Sequence, residues 1–336
     1  MVARAELLAQ GSFENVRAAG SAGGRAATAC ASLVGDGGAV GLAWDLARGA
    51  RVGDPLPGFP CDGEAWAFGV LPGPRGDSPV VAWAGGGRVH VHDVHGGGEV
   101  VIDEAEASFP DMVGLAVHRG RGAVVTVFDR RPQAEIILWD ARTGERLADF
   151  ETWSGYRRPD RRVLHATPDS GPLIALACDA ERACDAERAE DADPRRSAVV
   201  GVLDAELGRQ IAELDRGPAR EAPMVPWEGG VALVLAEPGR IVVRSPDGEE
   251  AAAVDAPEVA GAYADVAAAR VDGRLLVAAG DFREGAYTVR DVARPEPLGR
   301  VEVPGPVGGA ALAPDGTFLA ATDTGLYRAR VSGPGT

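Results

Sequence analysis

A short phrase that keeps returning is the strongest constraint on how this chain can fold. "IILWDARTGERL" (136–147) runs apolar residues into Trp139-Asp140 and then into a polar turn. Weaker copies stand at "VGLAWDLARGARV" (40–52), "RVHVHDVHGGGEV" (88–100), "VVGVLDAELGRQI" (199–211) and "YTVRDVARPEPLG" (287–299). Aligned on their acid they give Asp45, Asp93, Asp140, Asp204 and Asp291, at intervals of 48, 47, 64 and 87 residues. The longest gap holds a degenerate copy, "GRIVVRSPDGEEAAAV" (239–254), and "TGLYRARV" (324–331) ends the series, which makes seven units. Self-similarity at a fixed period marks a repeat architecture.

Each unit divides into short pieces. The alternation of Val89, Val91 and Val94 is a strand signal. Asp36-Gly37, Asp129, Asp281 and Asp323 stand where one strand must reverse into the next. Ahead of these lie strands of small residues, such as "VGGAALAPDG" (307–316), "DVAAARVDG" (265–273) and "MVGLAVHRG" (112–120). Every unit therefore reads as four antiparallel strands. A sheet of that size cannot bury both of its faces alone, so neighbours must stack around an axis, with Ala and Gly where the innermost strands crowd.

"LWDARTGERL" and "AWDLARGARV" resemble the third strand and following turn of WD-repeat β-propellers. The resemblance spans about residues 3 to 332 and implies an all-β, single-domain, closed propeller over 1–336, with seven blades of four antiparallel strands. Six or eight blades are the alternatives. The Gly-His pair that opens such repeats is absent, so the family's buried hydrogen-bond tetrad is not expected in its usual form. "ARAELLAQG" (3–11) precedes the first complete unit, while the last copy has only three strands. The expected closure pairs this N-terminal strand with the last blade and removes an open edge.

Composition narrows the function classes. The formal charge is −16 and every basic residue is Arg, with no Lys in the chain. Acidity argues against a nucleic-acid backbone as partner, and the missing lysines exclude Schiff-base chemistry and a phosphate-loop lysine. The Ala, Gly, Pro, Val and Arg bias points to a GC-rich bacterial genome. No apolar run is long enough to span a membrane. The first residues lack a signal-peptide core, and four cysteines at unrelated spacings form no disulfide framework. A cytoplasmic monomer without a cofactor is the expectation.

Two features carry functional expectations. "ACDAERACDAERAEDADPRRS" (177–197) is an insert between the second and third strands of the fourth unit and accounts for the 64-residue interval. It reads as a solvated lobe, or as a docking helix. Cys178 and Cys184 within it have no His beside them to make a metal site. The second feature is a set of large residues at or beside the blade-to-blade links: Trp66, Phe109, Met112, Trp153, Tyr156 and Trp227, with Arg157, Arg158 and Arg161. Antiparallel order returns these links to the same face as the second-to-third loops. Exposed aromatics with Arg are the usual anchors of a protein interface, so a protein or peptide partner is expected there. The bland alternative is that each is a plug between two blades.

Two further readings compete with docking. One is an enzyme with its site at the central channel, where His118 and His165 end the first strands of units three and four and Asp111 or Asp169 is a candidate partner. The other is a sensor that binds a small anion through Arg157, Arg158 and Arg161. His90 and His92 share a strand face and read as a packed pair rather than metal ligands.

Overall fold

The computed structural model describes residues 2–20, 27–36, 38–60, 65–72, 76–96, 98–103, 110–130, 133–151, 162–168, 171–178, 198–217, 221–261 and 263–331. The chain opens with β1 (Val2–Arg4) and β2 (Glu6–Gln10), which belong to the last two sheets. Blade 1 is β3 (Ser12–Gly20), β4 (Ala27–Gly35), β5 (Gly38–Asp45) and β6 (Ala50–Phe59). Blade 2 is β7 (Trp66–Leu71), β8 (Ser78–Gly85), β9 (Arg88–Asp93) and β10 (Glu99–Ile102). Blade 3 is β11 (Met112–His118), β12 (Arg121–Arg130), β13 (Gln133–Asp140) and β14 (Arg146–Glu151). Blade 4 is β15 (Arg162–His165), β16 (Leu173–Cys178), β17 (Ala198–Asp204) and β18 (Arg209–Gly217). Blade 5 is β19 (Met224–Trp227), β20 (Gly230–Glu237), β21 (Arg240–Arg244) and β22 (Glu250–Asp255). Blade 6 is β23 (Ala264–Val271), β24 (Arg274–Asp281), β25 (Ala286–Asp291) and β26 (Pro297–Glu302), and blade 7 is β27 (Val307–Leu312), β28 (Thr317–Thr322) and β29 (Gly325–Arg330). Each sheet pairs its strands in sequence order, so the protein is a seven-bladed β-propeller.

Period-two burial shows why the blades need one another. In β12, Ala123 through Phe128 are all at most 2% exposed. Val125 and Val127, with Ile136 and Leu138 of β13, pack on Ile174, Leu176 and Leu203 of blade 4. Their alternates Val124, Phe128, Ile137 and Trp139 pack on Ala82, Val89 and Val91 of blade 2. Both faces are covered, so the middle strands read as continuous apolar runs. Burying one such side chain contributes about 1.5–3 kcal/mol, and the adjacent blade supplies the cover that the sheet itself lacks. Seven cores of this kind occur among the described residues, one for each pair of neighbours. The core that joins Phe13, Leu42 and Trp44 of blade 1 to Leu319, Ala321 and Leu326 of blade 7 closes the ring.

The recurring acid turns out to be a turn cap. Asp140 Oδ1 accepts the backbone N–H groups of Arg142 and Thr143, at 2.9 and 3.2 Å. Asp93, Asp204, Asp45 and Asp291 receive N–H groups two or three residues ahead in the same way. The glycines four residues after three of these acids, Gly49, Gly144 and Gly208, have φ of 62°, 71° and 61°, a left-handed conformation that favours glycine. In the degenerate fifth copy Ser245 takes over, its Oγ receiving Glu249 N–H at 3.0 Å. The buried indole of Trp139 donates to Thr126 Oγ1 at 2.9 Å inside blade 3.

Closure follows the expected route and adds to it. β2 pairs antiparallel with β29 as the outer strand of blade 7. One strand was not foreseen: β1 runs parallel along β26, a fifth strand on blade 6. The N-terminal ten residues therefore stitch two blades together at their outer edges.

Candidate docking face

Strand order gives the propeller two unlike faces. First-to-second and third-to-fourth turns emerge on one, here the turn face. Second-to-third loops and the blade-to-blade links emerge on the other, the link face. Two bonds near the ends of second strands locate the link-face rim: Ala84 N–H, in β8, donates to Ala65 O at 2.9 Å in blade 2, and Phe282 N–H, just after β24, donates to Tyr263 O at 3.2 Å in blade 6.

The expected anchors divide. Trp66 and Met112 open first strands at the link face, but both are fully buried. Trp66 lies against Phe59 at 5.0 Å, in the core between blades 1 and 2, with the Arg17 guanidinium 5.3 Å from its ring. Met112 sits in the core between blades 3 and 4. Neither offers a surface; both are plugs between blades. Trp227 is at the wrong end: it closes β19 on the turn face, before the Glu228-Gly229 turn, half-buried against the core of blades 5 and 6. Phe109, Trp153, Tyr156, Arg157, Arg158 and Arg161 lie outside the described residues, as does the insert beyond Cys178.

An aromatic–arginine patch does stand on the link face, in a sector that sequence reasoning passed over. Tyr263, 38% exposed, ends the link from blade 5 to blade 6. The guanidinium carbon of Arg283 lies 3.3 Å from the centre of its ring, and Phe282 meets the same ring edge-on at 5.7 Å and 87°. Phe282 and Arg283 belong to the loop between β24 and β25. Asp281 shapes that loop by accepting Arg283 N–H on Oδ1 at 2.8 Å. Val307 N–H donates to Phe282 O at 2.7 Å and Val303 N–H to Gly285 O at 2.8 Å, which ties the loop to the link into blade 7. Gly285 (φ +65°) permits this approach, since a Cβ there would lie 2.5 Å from the carbonyl oxygens of both Gly305 and Val303. Beneath, Tyr287 donates its hydroxyl to the buried Asp265 carboxylate at 2.9 Å and leans on Phe318 of blade 7. On the neighbouring link, Glu258 holds Arg290 through two 3.0 Å hydrogen bonds. The signal was present in "AGAYADV" and "DFREG": an aromatic one residue before a first strand, and an Arg in the loop that touches it.

Of the channel candidates, Asp111 and His118 do not converge. Asp111 is exposed at the link-face end of β11, whereas His118 ends that strand on the turn face, about 20 Å away at the rise of an extended strand. The strand between them keeps His118 and Asp111 from pairing; Asp169, the other acid considered for that role, lies outside the described residues. His118 is 5% exposed and its Nδ1 has no hydrogen-bond partner among the described residues. Burial pushes its pKa below the ordinary value, Arg119 adds to this and Glu206 opposes it, so the ring is neutral at pH 7. His165 ends β15, also on the turn face, and its side chain lies outside the described set. The chain itself enters the channel. Leu115 and Val117 N–H, on the free inner edge of β11, donate to Ala166 O and Gly171 O at 3.0 and 3.2 Å. Pro168 rests on Gly69 of β7, where a Cβ would lie 2.7 Å from its ring. His90 is used structurally: it stacks on Trp83 at 5.0 Å and 13°, with Nδ1 2.9 Å from Glu99.

No family model matches the sequence, and no curated protein matches it. Solved structures do match in shape. Hydrazine synthase of Kuenenia stuttgartiensis is similar at 15% identity and a TM-score of 0.60, over 97% of this chain and 97% of that one. A chain of the mitotic checkpoint complex is similar at 13% identity and a TM-score of 0.54, over 91% of this chain and 87% of that one. Identities this low establish the β-propeller and nothing narrower.

Proposed function

We propose that this propeller is a non-catalytic scaffold that docks a protein or peptide on its link face. The observation that carries the reading is the Tyr263–Phe282–Arg283 cluster: an exposed aromatic and an Arg, held in place by main-chain bonds to two neighbouring links. Such anchors dominate interfaces because a rigid ring and a planar guanidinium lose little freedom on binding. Trp153, Tyr156, Arg157 and the neighbouring arginines of the blade 3 to blade 4 link are proposed to extend the same surface. The separation of Asp111 from His118, and the chain's own loop on the inner edge of β11, favour docking over chemistry in the channel. The fold likeness to a chain of the mitotic checkpoint complex is compatible with an assembly role but does not specify one.

The test compares complexes captured from the native organism by the wild-type chain, a Tyr263→Ala/Arg283→Met variant, and a turn-face control, Leu207→Ser. Loss of the same partner from the link-face variant alone is expected. Equal recovery by all three would remove the patch from the interface.

A further inference from the structure

Resting on the docking reading, we infer that the Tyr263–Arg283 stack is a receptor for a carboxylate, presented by an Asp or Glu side chain of the bound peptide. Three observations converge. The guanidinium carbon of Arg283 lies 3.3 Å from the centre of the Tyr263 ring, and a ring face offers no hydrogen-bond acceptor of carboxylate strength to the guanidinium N–H groups. Among the described residues Arg283 makes no ion pair and no side-chain hydrogen bond; its one printed polar contact is through the backbone N–H. Two of the nearby acids are committed elsewhere, Asp281 to that N–H and Glu258 to Arg290, and the adjacent Glu284 is exposed and makes no ion pair with Arg283 among the described residues. An Arg edge presents paired donors that match the two oxygens of a carboxylate, a fit a lysine does not reproduce.

Charge decides between anions. Asp281 and the exposed Glu284 flank Arg283 in sequence, and the loop between β24 and β25 holds no second Arg. Phosphate recognition normally uses clustered arginines against a charge near −2. One Arg between two carboxylates suits a single negative charge, with Phe282 and Tyr263 supplying apolar contact to the residues on either side. The net charge of −16 repels an acidic peptide at long range, but that repulsion is screened beyond about 8 Å at physiological salt, whereas the close pair is screened less. Binding is therefore expected to hold or strengthen as salt rises from low to physiological levels.

The experiment follows the Arg283 Nε–H resonance of the full-length protein, assigned by its loss in Arg283→Lys, during titration with unlabelled end-blocked peptides. The peptides are Leu-Ser-Xaa-Leu-Ser, where Xaa is Glu, Gln, phosphoserine or Lys. The Glu peptide should shift the resonance and saturate, with Gln about tenfold weaker or more, equivalent to the roughly 1.4 kcal/mol expected of a charged hydrogen bond. Phosphoserine should bind no tighter than Glu, and Arg283→Lys should weaken the Glu peptide while leaving the fold intact. Equal binding of Gln and Glu, tighter binding of phosphoserine, or no shift with the Glu peptide at millimolar concentration overturns the carboxylate assignment. If Gln matches Glu while Tyr263→Ala abolishes both, docking at this patch survives and only the carboxylate is lost. If neither this titration nor the capture experiment responds to the patch, both fall.

Discussion

Trp66 and Tyr263 occupy neighbouring positions of the same structural unit, yet one is sealed in the core and the other faces solvent. Trp66 pairs with Trp83 and Ala264 with Asp281, while Ala65 and Tyr263 are the residues before them, each accepting the N–H of the residue that follows the pairing partner. The first position of the strand points between blades: Trp66, Met112, Met224 and Ala264 are all buried. One residue earlier, Asp111 and Tyr263 are exposed and Ala65 is half-buried, while Pro223 of blade 5 stays buried. Strand side chains alternate with a period of two, so a single step along the chain converts a plug into an anchor. Blade 2 put its large aromatic on the inner step, and blade 6 put its own on the outer step.

The comparison breaks most visibly in stability. Trp66→Ala empties a site lined by Phe59 and Trp83 and should cost about 3–5 kcal/mol in denaturant unfolding. Tyr263→Ala should cost no more than about 1 kcal/mol, because its ring rests on the surface. Comparable losses for the two would mean that the outer position is also structural.

Next in size is Gly285→Ala. The left-handed backbone and the two carbonyl oxygens at 2.5 Å leave no room for a methyl group, so a loss of about 1–3 kcal/mol is expected. The displaced loop should also release Arg283 from Tyr263, seen as a change in the Arg283 side-chain resonance. Gly261→Ala is the matched control on the same face: nothing lies within 4 Å of the Cβ position, and stability should be unchanged or slightly higher.

A smaller effect should appear as a pH dependence around the aromatic region. Burial raises the Asp93 pKa, but the hydroxyl of Ser78 at 2.6 Å and the N–H groups of Gly96 and His95 outweigh it, and the net shift is downward. A carboxyl depressed on folding contributes stability that is fully present above its unfolded value, near 4, and is lost as pH falls through the lower folded value. Glu237 behaves alike in blade 5: burial raises it, and Arg244 and Arg240 pull it below the ordinary range. Ser78→Ala should therefore cost about 1 kcal/mol at neutral pH and flatten the acid limb of the stability profile. An unchanged slope below pH 4 would show that the hydroxyl does not hold that charge.

Much of this architecture was legible because it rests on local chemistry. Asp45, Asp93, Asp140, Asp204 and Asp291 are spaced as they are because each must catch its own turn's N–H groups, a requirement written within four residues. The closing strand was legible because one unit was short by a strand at one end and "ELLAQ" was unpaired at the other. The anchors were misread for the opposite reason. Whether Trp66 or Tyr263 faces water depends on strand register, which is fixed by pairing with residues about 17 positions away and by the adjacent blade. β1 escaped notice because three residues carry too little pattern to reveal a parallel partner. Trp227 closes β19 instead of preceding it, and a four-residue strand is too short for its ends to be read from pattern.

The smallest stability effect is expected at Arg283, and that is why it sharpens the comparison. Arg283→Met keeps an unbranched apolar stem against Tyr263 and removes only the charge and its donors. With no carboxylate bound to it among the described residues, the free protein should unfold within about 0.5 kcal/mol of wild type. Arg17 supplies the counterpart, since its guanidinium also sits over a ring, that of Trp66, but in contact with the core between blades 1 and 2. Arg17→Met should therefore show the larger change in the thermal midpoint, while Arg283→Met should change partner binding and leave the midpoint alone. Two arginines over two aromatic rings are thus expected to separate, the first in stability and the second in binding. If Arg283→Met lowered the midpoint as much as Arg17→Met, the outer cluster would be another plug and the link face would lose its anchor.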